Sequence, residues 1–170
     1  MFVGSAFAEG YVGGAIGRGH TNLDCGGAST CSTKSTGYKV FGGFKFAPNL
    51  AGELTYFDFG KARAADPGLS LDLKTTALGV GVAFGGDFAA SWSGLVRVGV
   101  ASVRVKADAT LNGVTGSLTE SNTAAYAGLG IAYQISNAMF LTGGVDFSRA
   151  KITGQSANVR LLSAGLTFRF

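Results

Sequence analysis

Few residues in this chain could do acid–base or covalent chemistry, and those few sit close together. The single histidine, His20, is followed by Thr21, Asn22 and Asp24, with Ser29 and Ser32 a short way on. Asp24 could orient the imidazole and Ser29 or Ser32 could act as the nucleophile, which is the arrangement that activates a hydroxyl through a general base. All of them fall in one polar, Gly-, Ser- and Thr-rich stretch from His20 to Ser35. A mobile loop is a poor place to hold such groups in register, so no catalytic activity is expected. Cys25 and Cys31, the only cysteines, lie in the same stretch. Two thiols in one exposed loop read as a disulfide made in an oxidising compartment such as the periplasm. A zinc site would need ligands that His20 alone does not supply. The bridge would contribute roughly 2 kcal/mol in the chain-entropy model, mostly to the order of its own loop. The sequence holds no phosphate loop, metal-ligand cluster or haem motif, so no cofactor and no metal are expected.

The elements that must carry this loop are strands. Glycine supplies 28 of 170 residues and proline only 2, against a usual glycine share of about 7%. Such a composition argues against long helices and against disorder. The 14 Lys and Arg against 10 Asp and Glu give a net charge of +4, scattered along the chain, so no nucleic-acid partner is expected. Mean hydropathy is positive, yet no run of apolar residues is long enough for a membrane-spanning helix. In a bilayer every backbone polar group needs a partner within the protein, and a closed β-barrel is the remaining way to meet that demand. Residues 1–8 read as the tail of a secretory signal, with Ala6-Phe7-Ala8 in small-x-small form, and residues 9–170 as one barrel domain.

Period-two alternation recurs in eight segments: Glu9 to Arg18, Gly37 to Ala47, Leu50 to Gly60, Leu71 to Gly85, Ser91 to Ala107, Leu118 to Ile135, Ala138 to Arg149 and Ser156 to Phe170. Pro48-Asn49, Gly85-Gly86-Asp87 and Ser136-Asn137 mark short turns, while 19–36, 61–70, 108–117 and 150–155 read as longer loops. The expected fold is therefore all-β, an eight-stranded antiparallel up-and-down transmembrane barrel with short periplasmic turns and longer extracellular loops. A soluble lipocalin-like barrel is the competitor, and the polarity of the two strand faces separates them. Leu78, Val80, Val82 and Phe84 oppose Ala77, Gly79, Gly81 and Ala83; Val96, Val98 and Val100 oppose Arg97, Gly99 and Ala101. Leu129, Ile131, Tyr133 and Ile135 oppose Gly128, Gly130, Ala132 and Gln134. Large apolar residues outside and small or charged ones inside suit lipid, since a buried unpaired charge costs several kcal/mol. Tyr11, Tyr38, Tyr56, Tyr126, Tyr133 and Trp92 fall near strand ends, where interfacial aromatic girdles belong.

The last strand ends Ser163-Ala164-Gly165-Leu166-Thr167-Phe168-Arg169-Phe170. With Ser163, Gly165, Phe168 and Phe170 at the marked positions, this run resembles the signal read by the barrel-assembly machinery of Gram-negative outer membranes, which takes up an open strand edge. The stretch Gly37-Tyr38-Lys39-Val40-Phe41-Gly42-Gly43-Phe44-Lys45-Phe46-Ala47-Pro48-Asn49-Leu50, with Glu53-Leu54-Thr55-Tyr56-Phe57-Asp58-Phe59-Gly60-Lys61 and the opening Gly10-Tyr11-Val12-Gly13-Gly14, is similar to the OmpA-like transmembrane domain family. That resemblance implies an ion pair inside the barrel between Glu53 on the third strand and Arg97 on the fifth, supplemented by Lys45, Lys39 and Asp146. Gly81, Ala132 and Thr142 stand where the family often adds further partners, so the network is expected to be reduced. Asp58 falls on the outward face by parity, acceptable only at a bulge or above the hydrocarbon. Arg104 and Lys106 lie beyond an apolar run and are candidates for lipopolysaccharide phosphates.

The function these readings imply is a structural and surface-interaction barrel in the outer membrane of a Gram-negative bacterium, meeting a protein partner or host surface through its loops. A narrow ion- or water-conducting channel is the alternative, since inward glycines leave room along the axis. No second domain follows Phe170 in the sequence, so the peptidoglycan-binding module of longer relatives is not expected.

Overall fold

Strand alternation leads to a ring because each segment pairs with the next and the last returns to the first. The computed structural model describes residues 9–21, 30–32, 34–152 and 155–170. Its strands are β1 (Gly10–Thr21), β2 (Thr30–Ser32), β3 (Lys34–Ala47), β4 (Leu50–Asp66), β5 (Leu69–Ala89), β6 (Trp92–Leu111), β7 (Val114–Gln134), β8 (Met139–Ile152) and β9 (Gln155–Arg169). β1 and β3 to β9 form a closed antiparallel ring, with β1 paired to both β3 and β9. Closure gives every wall strand a neighbour on both sides, which lipid demands of the membrane-spanning part. The short β2 pairs with Arg63 to Ala65 of β4. Gly10 and Phe170 exchange backbone hydrogen bonds of 3.1 and 2.9 Å where the first and last strands meet.

The face assignment is decided by exposure. Val80, Val98, Leu129 and Leu166 are 58%, 48%, 56% and 38% exposed on the outside, whereas Glu53 and Arg97 are 3% and 5% exposed within. A soluble barrel would bury the first set, so the molecule is built inside-out, for lipid.

Two features differ from the sequence expectation. Segments 61–70 and 108–117 are strands, paired in register as far as Asp66↔Leu69 and Leu111↔Val114. Each hairpin closes on a two-residue turn, Pro67-Gly68 and Asn112-Gly113, with φ of +84° at Gly68, +47° at Asn112 and +86° at Gly113. Positive φ at both turn residues matches the twist of the flanking strands, which suits Asn-Gly. The lipid pattern does not mark these segments because its polarity is reversed there, with apolar residues facing the axis and polar ones facing out, while the ladder itself continues through backbone bonds. The amide of Asn112 donates to the Gly68 carbonyl at 3.2 Å, tying the two tips together.

The interior also differs. Alongside small and charged residues it holds an apolar cluster of Phe57, Phe59, Val103, Val105, Val159 and Leu161, each 0–2% exposed, with Tyr126 at 4%. Inward glycines make space for rings rather than for an open channel. A Cβ on Gly79 or Gly99 would come within 2.8 or 2.6 Å of the Tyr126 ring, so the tyrosine occupies what those glycines vacate.

Candidate functional site

Three regions carry the functional side chains: a charged layer inside the barrel, the apolar plug beside it, and the far-end hairpins with their cationic rim. In the charged layer, β4 and β6 put Glu53 and Arg97 on their inner faces, and Arg97 Nε donates to Glu53 Oε1 at 2.8 Å. Tyr11 Oη donates to Glu53 Oε2 at 2.8 Å, and Thr55 Oγ1 donates to Oε1 at 3.0 Å. The carboxylate is thereby fully occupied, as burial of an ionised group requires. A second pair, Lys39 with Asp146, joins β3 to β8. The Phe41 ring lies between the two, with the Arg97 guanidinium 4.8 Å and the Lys39 ammonium 5.7 Å from its centroid. Both cations are thus held by a carboxylate and an aromatic face.

Lys45 does not join Glu53. It shares the inner face of β3 but pairs with Glu9 at 2.7 Å near the chain ends, because it stands too far along β3 and a closer carboxylate is available. Tyr11 and Tyr126, expected in the aromatic girdle, also face inward; Tyr11 is hydrogen-bonded to Glu53 and Tyr126 is packed edge-on to Phe57 at 5.4 Å. Outside, Tyr38 and Tyr56 stand 6.2 Å apart and Trp92 and Tyr133 4.9 Å apart, at the two ends of the apolar band. Asp58 sits immediately before a register shift in β4, where Gly60 has φ +84° and its amide donates to Asp58 Oδ1 at 2.8 Å. Lys74 closes on Oδ2 at 3.2 Å, so the outward carboxylate is neutralised at a bulge.

A cavity of about 100 Å³ near the chain ends is lined by Tyr11, Lys45, Asp87, Arg97 and Arg169, among others. A larger one of about 870 Å³ at the far end is lined by Asn122, Tyr126, Phe147, Arg149 and Arg160, among others, and shares no lining residue with the first. Between them stand the ion pairs and the plug.

Arg104 and Lys106 are exposed on the outer face of β6, beside Thr76 and Lys74 of β5. Beyond them, β5, β6 and β7 continue as an amphipathic sheet. Leu69, Leu111, Val114 and Leu118 lie on the axis-facing side at 44%, 57%, 74% and 53% exposure, while Asp72, Lys106, Asp108 and Thr119 occupy the other. The sequence reading missed this surface because it took these segments for loops. Among the described residues no cluster of three or more His, Cys, Asp or Glu could hold a metal. Asp24, Cys25 and Ser29 lie outside the described residues, and only the backbone of Cys31 and Ser32 is described, in β2. In β9, Ser163 is buried on the inner face, a Cβ on Gly165 would meet the Gly14 carbonyl at 1.9 Å, and Phe168 and Phe170 face outward at 46% and 80% exposure.

The comparisons agree with this architecture. No curated protein matches the chain. Among solved structures, Neisserial surface protein A is 16% identical with a TM-score of 0.72, covering 95% of this chain and 97% of that one. Ail, the attachment invasion locus protein of Yersinia pestis, is 15% identical with a TM-score of 0.65, covering 96% and 99%. A further structure of Ail holds the heparin analogue sucrose octasulfate. The N-terminal β-barrel domain of Pseudomonas aeruginosa OprF is 13% identical with a TM-score of 0.59, covering 95% and 97%. These likenesses establish the fold, and the model of the outer membrane protein beta-barrel domain matches residues 2–170. A closed ring with lipid-facing aliphatics, a neutralised charged interior and a full-length family match lead to one conclusion: the chain belongs to the outer membrane β-barrel family and resides in a Gram-negative outer membrane.

Proposed function

We propose that this barrel is a structural and surface-interaction protein, a rigid anchor that presents its far-end sheet to a protein or host surface and performs no catalysis. The observation that carries the reading is the apolar, axis-facing side of the β5–β6–β7 extension. A stiff sheet with Leu69, Leu111, Val114 and Leu118 exposed beyond the lipid band is a contact surface in search of a partner, because isolated domains rarely leave such residues together in water. The name of Ail, attachment invasion locus protein, points the same way for a barrel of this shape. The rim cations Arg104 and Lys106, exposed beyond the apolar Val96–Val100 run, suit the phosphates of lipopolysaccharide. Ser163, Gly165, Phe168 and Phe170 fit a terminal strand that the assembly machinery takes up before the ring closes, and Cys25 and Cys31 are read as a disulfide that fixes the first loop.

The test is adhesion. Outer-membrane vesicles carrying the chain are expected to bind a surface coated with host extracellular matrix, and a Leu111→Ser/Val114→Ser/Leu118→Ser variant to lose most of that binding while the barrel stays folded. Equal adhesion by the variant, or by vesicles lacking the chain, overturns the reading. The channel alternative is opposed by the plug and by the two closed ion pairs on the axis. It predicts discrete conductance in planar bilayers, whereas the anchor reading predicts none.

A further inference from the structure

The β7–β8 seam of the barrel wall loses its ladder before the strands end. The β7–β8 ladder runs from Gln134↔Phe140 to Ala127↔Phe147 and stops there, although β7 continues to Val114 and β8 to Ile152. The β3–β4 ladder also ends early, at Tyr38↔Asp58 beside the β4 bulge, where Ser35 Oγ donates to the Phe59 carbonyl at 3.3 Å; no cavity opens at that seam among the described residues, as one does between β7 and β8. Past Phe147 the two edges are bridged by side chains: Ser148 Oγ donates to the Ala125 carbonyl at 3.3 Å, and the Lys151 amide donates to Asn122 Oδ1 at 3.0 Å. Unpaired strand edges are excluded from hydrocarbon and tolerated where they border a polar or water-filled space.

That space is the cavity of about 870 Å³, within the size range of small-molecule sites. Its lining comes from both faces of the wall: Ala124, Tyr126 and Val159 from inside, Ala127 and Phe147 from outside. The interior side rests on the apolar plug, against which Ala124 packs. The opening lies where the outer apolar band ends, and there Arg149 and Arg160 stand exposed on the outer face. Two polar atoms in the lining, His20 Nδ1 and Asn122 Nδ2, are buried without a hydrogen-bond partner.

We infer that this seam is a binding site for a single-chain anionic amphiphile. Its hydrocarbon chain passes between β7 and β8 onto the apolar floor. Its acidic headgroup meets Arg149 and Arg160 on the outer face. A neutral or zwitterionic head would leave the two guanidinium groups unsatisfied, and a chain without a head would not use them, so charge selects the ligand class. The gap is bounded by the Ser148–Ala125 and Lys151–Asn122 hydrogen bonds, which leaves room for one chain rather than two and commits the site to a free single-chain molecule. The inference is independent of the adhesive sheet and stands or falls apart from it.

Sodium laurate titrated by calorimetry into the unaltered chain in phosphatidylcholine nanodiscs, with empty discs subtracted, is expected to give one saturable site. The Arg149→Ala/Arg160→Ala variant is expected to weaken it about tenfold. Lysophosphatidylcholine, with a zwitterionic head, is expected to give no saturable signal. A second measurement places the chain inside the wall. In an Asn122→Trp/Trp92→Phe variant, 9,10-dibromostearate is expected to quench the fluorescence saturably, and dibrominated phosphatidylcholine in the disc to leave it unchanged. Absence of a saturable laurate site, binding indifferent to the two arginines, or equal quenching by the bilayer lipid each overturns the proposal.

Discussion

Arg97 and Glu53 illustrate how charge is kept inside a wall surrounded by lipid. Removing one member of a buried pair strands the other, a cost of about 3–5 kcal/mol, and an isosteric amide softens that loss only by keeping hydrogen bonds to the stranded group. Arg97→Ala is therefore expected to lower unfolding stability in lipid vesicles by that order, since Glu53 would keep only Tyr11 and Thr55 as donors. Glu53→Gln is expected to cost less, because its amide oxygen still accepts while Arg97 retains the Phe41 face. Urea titrations followed by fluorescence distinguish the two, and equal losses would contradict the pairing as described. The glycines act at the same scale. Gly99→Ala is expected to destabilise the barrel, because the added methyl meets the Tyr126 ring at 2.6 Å and the Val80 carbonyl at 2.4 Å. Relief by a companion Tyr126→Ala would be only partial, since the backbone contact remains.

The strands do two jobs along their length. Within lipid they alternate strictly, and beyond it they continue as a sheet whose geometry depends on turn chemistry. Gly113 has φ +86°, a conformation costing a β-branched residue about 1–3 kcal/mol. Gly113→Val is thus expected to loosen the β6–β7 tip and expose it to limited proteolysis between residues 111 and 114, while the lipid-embedded part stays folded. Loss of the whole barrel instead would mean that the extension and the ring fold as one unit. The first long connection is governed by its two cysteines. Thiol titration under non-reducing conditions is expected to find no free thiol, and two equivalents would remove the disulfide.

The whole molecule is a closed ring, and closure governs its behaviour in solution. Aliphatic residues cover the outside, so the protein is expected to require detergent and to migrate differently on a denaturing gel before and after boiling. Identical migration together with monodispersity in the absence of detergent would contradict the inside-out arrangement. Closure also concentrates polar groups on the axis, where two ion pairs and an aromatic plug fill the space that eight strands enclose. The Phe57→Ala/Phe59→Ala variant, with Tyr126→Ala, is expected to conduct ions in planar bilayers, and the unaltered chain to show no discrete openings. If that variant remains silent, the charged layer alone blocks the axis.

The strand pattern and the inside-out polarity were legible in the sequence, because lipid imposes a period-two code on every residue that touches it, whereas the Glu53–Arg97 pair was implied by the family resemblance. Where lipid ends, the code inverts: around the Leu111–Val114 hairpin apolar residues face the axis and polar ones face out, so the lipid pattern no longer marks the segment and the backbone ladder identifies it as strand. Inside the barrel, side-chain parity specifies which way a residue points but leaves open what it meets. The tertiary structure therefore decided that Lys45 turns to Glu9, that Lys39 finds Asp146, that Tyr126 fills the room left by Gly79 and Gly99, and that β7 and β8 part above Phe147. Those outcomes depend on shear and on distances across the ring, which couple residues far apart in the chain and leave no local periodic trace.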